Sequence, residues 1–146
     1  MAKPRRESKK KPVPRKSVER PHNGGQWSKA RFKSFIISAL RKASSRWGPK
    51  NEVLKLARTG RNQYTCAECG EGKLGRKDVA VDHIDPIVDP AVGFVSFDEW
   101  VERCFVEADA YQVLCKPCHS LKTDVEKEIA SFRRKREKLL AKQEQL

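Results

Sequence analysis

The 146-residue sequence predicts an α+β fold. Apolar residues recur at helical spacing before residue 62, and short β-rich runs with paired cysteines follow them. After Pro117 no glycine or proline interrupts the chain, which indicates a long final helix. The length allows one compact domain with basic extensions. Because only 38% of the residues are hydrophobic, we expect a small core that needs an additional staple.

The net charge of +13 is unevenly distributed along the chain. Residues 1–20 and 21–62 carry formal charges of +7 and +9, whereas residues 63–114 carry −7 and residues 115–146 carry +4. The basic segments favour a polyanionic partner, because Lys and Arg release counterions from phosphates. Nucleic acid is therefore the expected partner. The acidic middle indicates either a metal site or a solvated acidic face.

Composition divides the chain into four segments. Residues 1–26 contain prolines and few large apolar side chains, and we expect a disordered basic arm. Residues 27–62 form a basic helical segment, residues 63–130 a compact unit, and residues 131–146 a basic extension of the last helix. No apolar stretch approaches the length of a membrane span and the start is highly charged, so we expect a cytoplasmic protein without a membrane partner.

Two helices are predicted in the basic segment. The apolar residues of the first recur over residues 27–47, and Pro49 in a first turn starts a shorter helix that ends near Gly60. The apolar stripes are expected to pack in the core, and the basic side of the first helix is expected to contact DNA. These candidate contacts are Lys33, Arg41, Lys42 and Arg46, to which Lys122 of the last helix is added.

Two short strands and an inserted helix are predicted in the middle of the chain. Residues 79–84 and 111–114 are rich in β-branched and aromatic side chains, and Pro86 marks the end of the first run. Between the runs, Ser96 followed by Glu99 three residues later is typical of a capped helix start.

Four of the five cysteines form two C-x-x-C pairs, separated by 45 residues. Two such pairs complete the tetrahedral thiolate shell of a structural Zn²⁺ site, which would clamp the ends of the intervening unit. Such an ion has no open position for water and is therefore not catalytic. The ligands are Cys66, Cys69, Cys115 and Cys118, and Cys104 is expected to be a small buried apolar residue.

A second set of chemically active residues lies beside these pairs. Asp82 can offer an oxygen and His119 a nitrogen to a divalent ion, while His83 can take a proton from water. Adjacent strand residues point to opposite faces, so Asp82 and His83 share a cleft only if the strand twists or ends there. Asp85 is an alternative carboxylate. His22, in the basic arm, is expected to be a surface or satisfied residue.

These motifs together resemble the zinc-containing HNH endonucleases, particularly small phage-type ones. The resemblance covers residues 64–126 and rests on Cys66-x-x-Cys69, on Val81-Asp82-His83-Ile84-x-Pro86 and on Gln112-Val113-Leu114-Cys115-x-x-Cys118-His119. It implies a ββα-metal fold with one catalytic Mg²⁺ or Mn²⁺ ion and cleavage of DNA. By position, His83 resembles the general base, and Asp82 and His119 resemble the ligands of the catalytic ion.

One position departs from the family pattern. The middle Asn of the family falls on Ala110, and the resemblance implies that this Asn braces the loop holding the base. Asp109, Gln112 or the long insertion of residues 87–109 can replace the brace. The alternatives to a nuclease are a non-catalytic zinc-stapled DNA-binding module, an inactive relative and, with less support, RNA recognition. The resemblance also implies a bacterial or phage-infected host cell, with DNA-processing proteins of a phage or mobile element as partners.

Overall fold

A computed structural model describes residues 17–144, which divide into two compact units, residues 17–38 and 39–144. Residues 1–16 of the predicted arm lie outside the description. The fold is mixed α+β, as the sequence predicts. In the described range no helix is both long and apolar enough to cross a membrane. The elements are α1 (Lys29–Ser44), α2 (Gly48–Leu56), β1 (Arg58–Gly60), β2 (Gln63–Tyr64), β3 (Val79–His83), α3 (Phe97–Cys104), β4 (Tyr111–Cys115) and α4 (Lys116–Gln143).

The first unit is a tight turn followed by the start of α1. His22 and Trp27 pair through their backbones across the turn. The ring of His22 stacks on Phe32 with centroids 4.2 Å apart, and the Trp27 ring lies 5.0 Å from that of Phe35. Aromatic pairs at this distance add to the apolar burial of a small unit. Of the two expectations for His22, a surface residue or a satisfied one, the structure supports the second, because its ring stacks on Phe32.

Helix α2 starts with Pro49 in its first turn, as predicted, but it ends at Leu56 and not near Gly60. Gly60 instead belongs to β1, which pairs with β2 in an antiparallel hairpin. Asn62 between the two strands has a φ of 53°, a conformation that reverses the chain tightly and that Asn tolerates better than most residues. Helix α2 therefore ends about one turn earlier than expected, because the residues that follow Leu56 pair in the β1–β2 hairpin instead.

The central sheet is the antiparallel pair of β3 and β4. Its register joins Val79 to Cys115 at one end and His83 to Tyr111 at the other. One face packs against α2 in the main core, and the other face lies under α4. The core residues are Val53, Val79, Tyr111 and Val113, with Trp47, Leu54 and Val81 packed around them.

The insertion between β3 and β4 carries α3. Ser96 caps this helix as predicted, because its Oγ accepts a hydrogen bond from the Glu99 N–H at 3.1 Å. Trp100 and Cys104 on the helix are buried, which confirms that Cys104 packs as a small apolar residue. At the other end of the unit, α4 runs without interruption to Gln143 and contains the start of the predicted basic extension.

The capping bond of Ser96 gives a testable prediction for the stability of the insertion. Replacing Ser96 with Ala leaves the Glu99 N–H without its partner and should lower the free energy of unfolding by about 1 kcal/mol. Urea denaturation measures the loss, and Ser34→Ala, on the exposed surface of α1, is the control that should change it by less than about 0.5 kcal/mol. Equal stability of the two variants would contradict the role of Ser96.

Candidate functional site

Four cysteines that lie far apart in the sequence meet at one end of the central sheet. The Sγ atoms of Cys66, Cys69, Cys115 and Cys118 all lie within 4.8 Å of one another. A tetrahedral ion with Zn–S bonds of about 2.3 Å places its sulfurs about 3.8 Å apart. The Sγ atoms of Cys69 and Cys115 are already 3.9 Å apart. The four thiols thus form a candidate structural metal site, and their chemistry and number fit zinc.

Local backbone structure presents each pair of sulfurs. After Cys66 the chain turns through Gly70, whose φ of 72° suits glycine and whose N–H donates to the Cys66 carbonyl. The N–H of Ala67 bonds to the carbonyl of Val113, which ties this turn to β4. The second pair spans the junction between β4 and α4, where the Cys115 Sγ accepts the Cys118 N–H. The cluster therefore joins the turn to the start of the last helix.

The pKa values of the thiols reflect the crowding of four acidic groups. Burial alone raises the pKa of Cys66, but the backbone N–H groups of Cys69, Cys115 and Glu68 outweigh it and lower the pKa to about 6. Hydrogen bonding to Cys115 and then burial raise the pKa of Cys118 to about 12. Several adjacent thiolates repel one another without a cation, so a divalent ion would favour ionisation of the whole set.

Asp82 is the centre of a polar cluster between β3 and α4. Its Oδ1 lies 3.7 Å from the Nε2 of His119, which belongs to the first turns of α4. Its Oδ2 accepts a hydrogen bond from Gln112 at 3.0 Å and pairs with the Lys122 ammonium at 2.5 Å. The predicted pair of Asp82 and His119 is therefore brought together, whereas Gln112 and Lys122 hold the second carboxylate oxygen.

The ring of His83 contacts a different set of residues from those that contact Asp82. Its Nε2 lies 3.0 Å from the carbonyl oxygen of Cys104, and its ring centroid lies 4.6 Å from that of Tyr111. Since a carbonyl only accepts, Nε2 carries the proton and Nδ1 retains its lone pair. The hydroxyl of Tyr111 donates to the same carbonyl at 2.8 Å. The alternation of strand residues thus separates the hydrogen-bonding partners of the two side chains, although β3 ends at His83.

Burial is the largest influence on the pKa of His83 and lowers it from its ordinary value. The hydrogen bond to the Cys104 carbonyl opposes this shift, as does the charge of Asp82, while the ammonium groups of Lys50 and Lys122 add to it. The imidazole is therefore neutral at pH 7 and can accept a proton.

Cationic side chains hold the loop that follows His83. The Nε and Nη2 of Arg103, on α3, donate to the carbonyl of Pro86 at 3.1 and 2.7 Å. Lys122 donates to the carbonyl of His83, and Arg133 on α4 donates to the carbonyl of Pro90 at 3.1 Å. Ala110 contacts this loop through its carbonyl, which accepts the N–H of Ile84 at 2.9 Å.

Sequence reasoning missed Arg103, Lys50 and Arg133. The sequence does single out Arg103, because it is one of only four cationic residues in the acidic segment 63–114. Of the proposed substitutes for the Asn, Gln112 contacts Asp82 and the insertion provides Arg103. The carboxylate of Asp85 is exposed on the loop.

The candidate DNA contacts fall in different places. Arg41 and Lys42 are exposed in the last turn of α1, and Arg46 is exposed in the turn that follows it. Lys33 is half-buried on the part of α1 that belongs to the first unit. Lys122 is an internal member of the Asp82 cluster, which the sequence did not predict.

Comparisons with family models, with curated proteins and with solved structures found no match to this chain.

The cysteine cluster predicts one tightly bound zinc per chain. Cys118→Ser should release the ion and lower the melting temperature by more than about 10 °C, because the free energy of metal binding is part of the free energy of folding. Elemental analysis and the absorption spectrum after cobalt substitution measure occupancy. Cys104→Ala, which changes a cysteine outside the cluster, is the control and should retain one ion. A metal-free wild-type protein of unchanged stability would contradict the assignment.

Proposed function

We propose that the chain is a metal-dependent endonuclease that hydrolyses phosphodiester bonds in DNA, built as an HNH-type unit around a structural zinc. The observation that carries the proposal is the 3.7 Å approach of the ligand atoms of Asp82, on β3, and His119, on α4. His119 directly follows Cys118, a member of the four-cysteine cluster. A carboxylate, an imidazole and a neighbouring neutral histidine are the groups needed for this hydrolysis.

The separation of Asp82 and His119 fits two ligands of one divalent ion. Ligand atoms each about 2.1 Å from an octahedral ion are about 3 Å apart when adjacent and about 4 Å apart when opposite. Lys122 and Gln112 engage only the Oδ2 of Asp82, so Oδ1 remains on the side of His119. When bound there, Mg²⁺ or Mn²⁺ would supply positive charge to the scissile phosphate and to the leaving oxygen.

His83 is the proposed general base. Its Nε2–H is engaged by the Cys104 carbonyl, which orients the ring and leaves Nδ1 to accept a proton from the attacking water. Burial keeps the imidazole neutral. The contact between Tyr111 and the ring restricts it further. His83 therefore has a defined tautomer and a defined position at the end of β3.

DNA is the proposed substrate because the two segments before residue 63 carry most of the positive charge. The exposed Arg41, Lys42 and Arg46 would contact phosphates, with Lys33 on the same helix, and would give affinity without sequence preference. Lys122, beside Asp82, would contact the scissile phosphate. Association with DNA-processing proteins of a phage or mobile element belongs to the same proposal.

Two observations favour a second candidate, a non-catalytic zinc-stapled DNA-binding module or inactive relative. The ammonium of Lys122 lies 2.5 Å from Asp82 and already compensates its charge. The family Asn is replaced by Ala110, which offers no side-chain hydrogen bond. In such a module the lysine would take the place of the catalytic ion, and the basic surface would act alone.

The nuclease proposal predicts a specific effect of His83→Ala. The variant should lose metal-stimulated nicking of supercoiled plasmid by roughly 10²- to 10⁴-fold, because the attacking water loses its proton acceptor, while DNA binding is retained. His22→Ala, with its ring against Phe32, is the matched control. If the wild type binds DNA but does not nick it with Mg²⁺ or Mn²⁺, the binding module is favoured. Equal nicking by wild type and His83→Ala would remove His83 from the mechanism.

Arg103 is predicted to position the loop that follows the base. Arg103→Ala removes both hydrogen bonds to the Pro86 carbonyl and should lower kcat by roughly 10- to 100-fold, because a small displacement of a reacting group has a large effect. The KM for DNA and the zinc content should stay constant. Arg76→Ala, another change within the acidic segment, is the control. A rise in KM with constant kcat would instead indicate a DNA contact.

A further inference from the structure

Helix α4 presents an apolar stripe that nothing in the described part of the chain covers fully. The helix has 28 residues and is about 42 Å long. Leu121 is 68% exposed and Phe132 62% exposed. With the others they recur at spacings that place them on one side of the helix. The exposed members of the stripe are Leu121, Val125, Ile129, Phe132, Leu139 and Leu140.

Charge divides the same helix into two halves of opposite sign. Residues 124–128 contain three carboxylates and one lysine, a formal charge of −2. Residues 133–138 contain five cations and one carboxylate, a formal charge of +4. Several of these groups form short-range pairs within the helix, such as Arg133 with Glu137 at 2.9 Å, but the pairs leave the net charge of each half unchanged.

We propose that two copies of the chain associate through this stripe with their α4 helices antiparallel. A twofold axis near residues 130 and 131 places the acidic half of each helix opposite the basic half of the other. The same axis pairs Ile129 with Phe132 and Leu121 with Leu140 of the second copy. Because two independent features, apolar positions and charge, share one midpoint, the surface is self-complementary as a twofold interface requires.

The residues that lie between these two pairs are also compatible with an antiparallel interface. The axis places Val125 opposite Arg136, whose alkyl stem can cover an apolar side chain while its guanidinium reaches water. Ile129, Phe132 and Arg136 also line a groove of about 400 Å³ with Ala91 and Arg133. The groove offers room for an apolar side chain of the second copy.

A parallel pair is disfavoured by the same charges. It would place a +4 segment beside another +4 segment along the whole basic half, and like charges across a helix interface are destabilising. The proposal concerns α4 alone and does not depend on the nuclease activity, so its failure and that of the proposed function are distinguishable.

Sedimentation velocity of the full chain tests the proposal. The protein is first treated with nuclease and is kept in moderate salt, so that DNA does not bridge two copies. The wild type should form a dimer at micromolar concentration. Phe132→Glu and Leu140→Glu should each weaken association by at least about tenfold, with unchanged circular dichroism and zinc content. Val92→Glu is the matched control, because Val92 is 59% exposed but lies on the insertion, and it should remain dimeric.

Charge reversal tests the orientation. Changing Arg134, Lys135 and Lys138 to Glu should weaken the dimer by at least about tenfold, and adding Asp124→Lys with Glu128→Lys should restore it. A parallel dimer would show neither effect, because each segment would still face its own charge. A wild type that stays monomeric at 100 µM, or a dimer that Phe132→Glu leaves intact, would overturn the proposal, and basic-half variants that change only DNA binding would assign this surface to DNA.

Discussion

The constraint on which the rest of this molecule depends is the meeting of four cysteine sulfurs at the junction of β4 and α4. Cys115 ends a strand and Cys118 lies in the first turn of the helix, so the cluster determines how α4 is rotated against the central sheet. His119 follows directly, about 100° further around the helix, and faces Asp82. A rotation of one residue would remove this pair. In a chain with a small core, the sulfur cluster therefore also positions the candidate catalytic side chains.

Asp82 and His83, at the end of β3, have different hydrogen-bonding partners. On the side of α4, Asp82 collects Gln112, Lys122 and His119, which balance its negative charge and leave one carboxylate oxygen beside the imidazole. The His83 ring instead lies against Tyr111 and uses the Cys104 carbonyl as its acceptor. The end of α3 thereby supports the proposed base. The insertion thus contributes directly to the candidate site, through the Cys104 carbonyl and the side chain of Arg103.

Helix α4 combines three roles along its length. Its first turn contributes a sulfur and an imidazole, its second turn places Lys122 against Asp82, and Arg133 further along holds the insertion at the Pro90 carbonyl. The apolar stripe along the same helix is exposed, and burying exposed apolar area is favourable whenever a complementary surface is available. Because the two halves of the helix carry opposite charges, a complementary surface must carry positive charge opposite the first half and negative charge opposite the second.

The sequence by itself determined the local elements and the chemically active residue types. Helical periodicity, Pro49, the Ser96 cap and the two C-x-x-C pairs are short-range signals, and each predicts structure within a few residues. The sequence also identified Asp82 with His119 as a candidate pair. Only the tertiary structure decided that His83 is oriented by the Cys104 carbonyl, that Lys122 and Gln112 hold Asp82, and that Arg103 holds the loop at Pro86. These contacts join residues 17 to 40 positions apart, and their geometry depends on strand register and helix rotation, which no local pattern specifies.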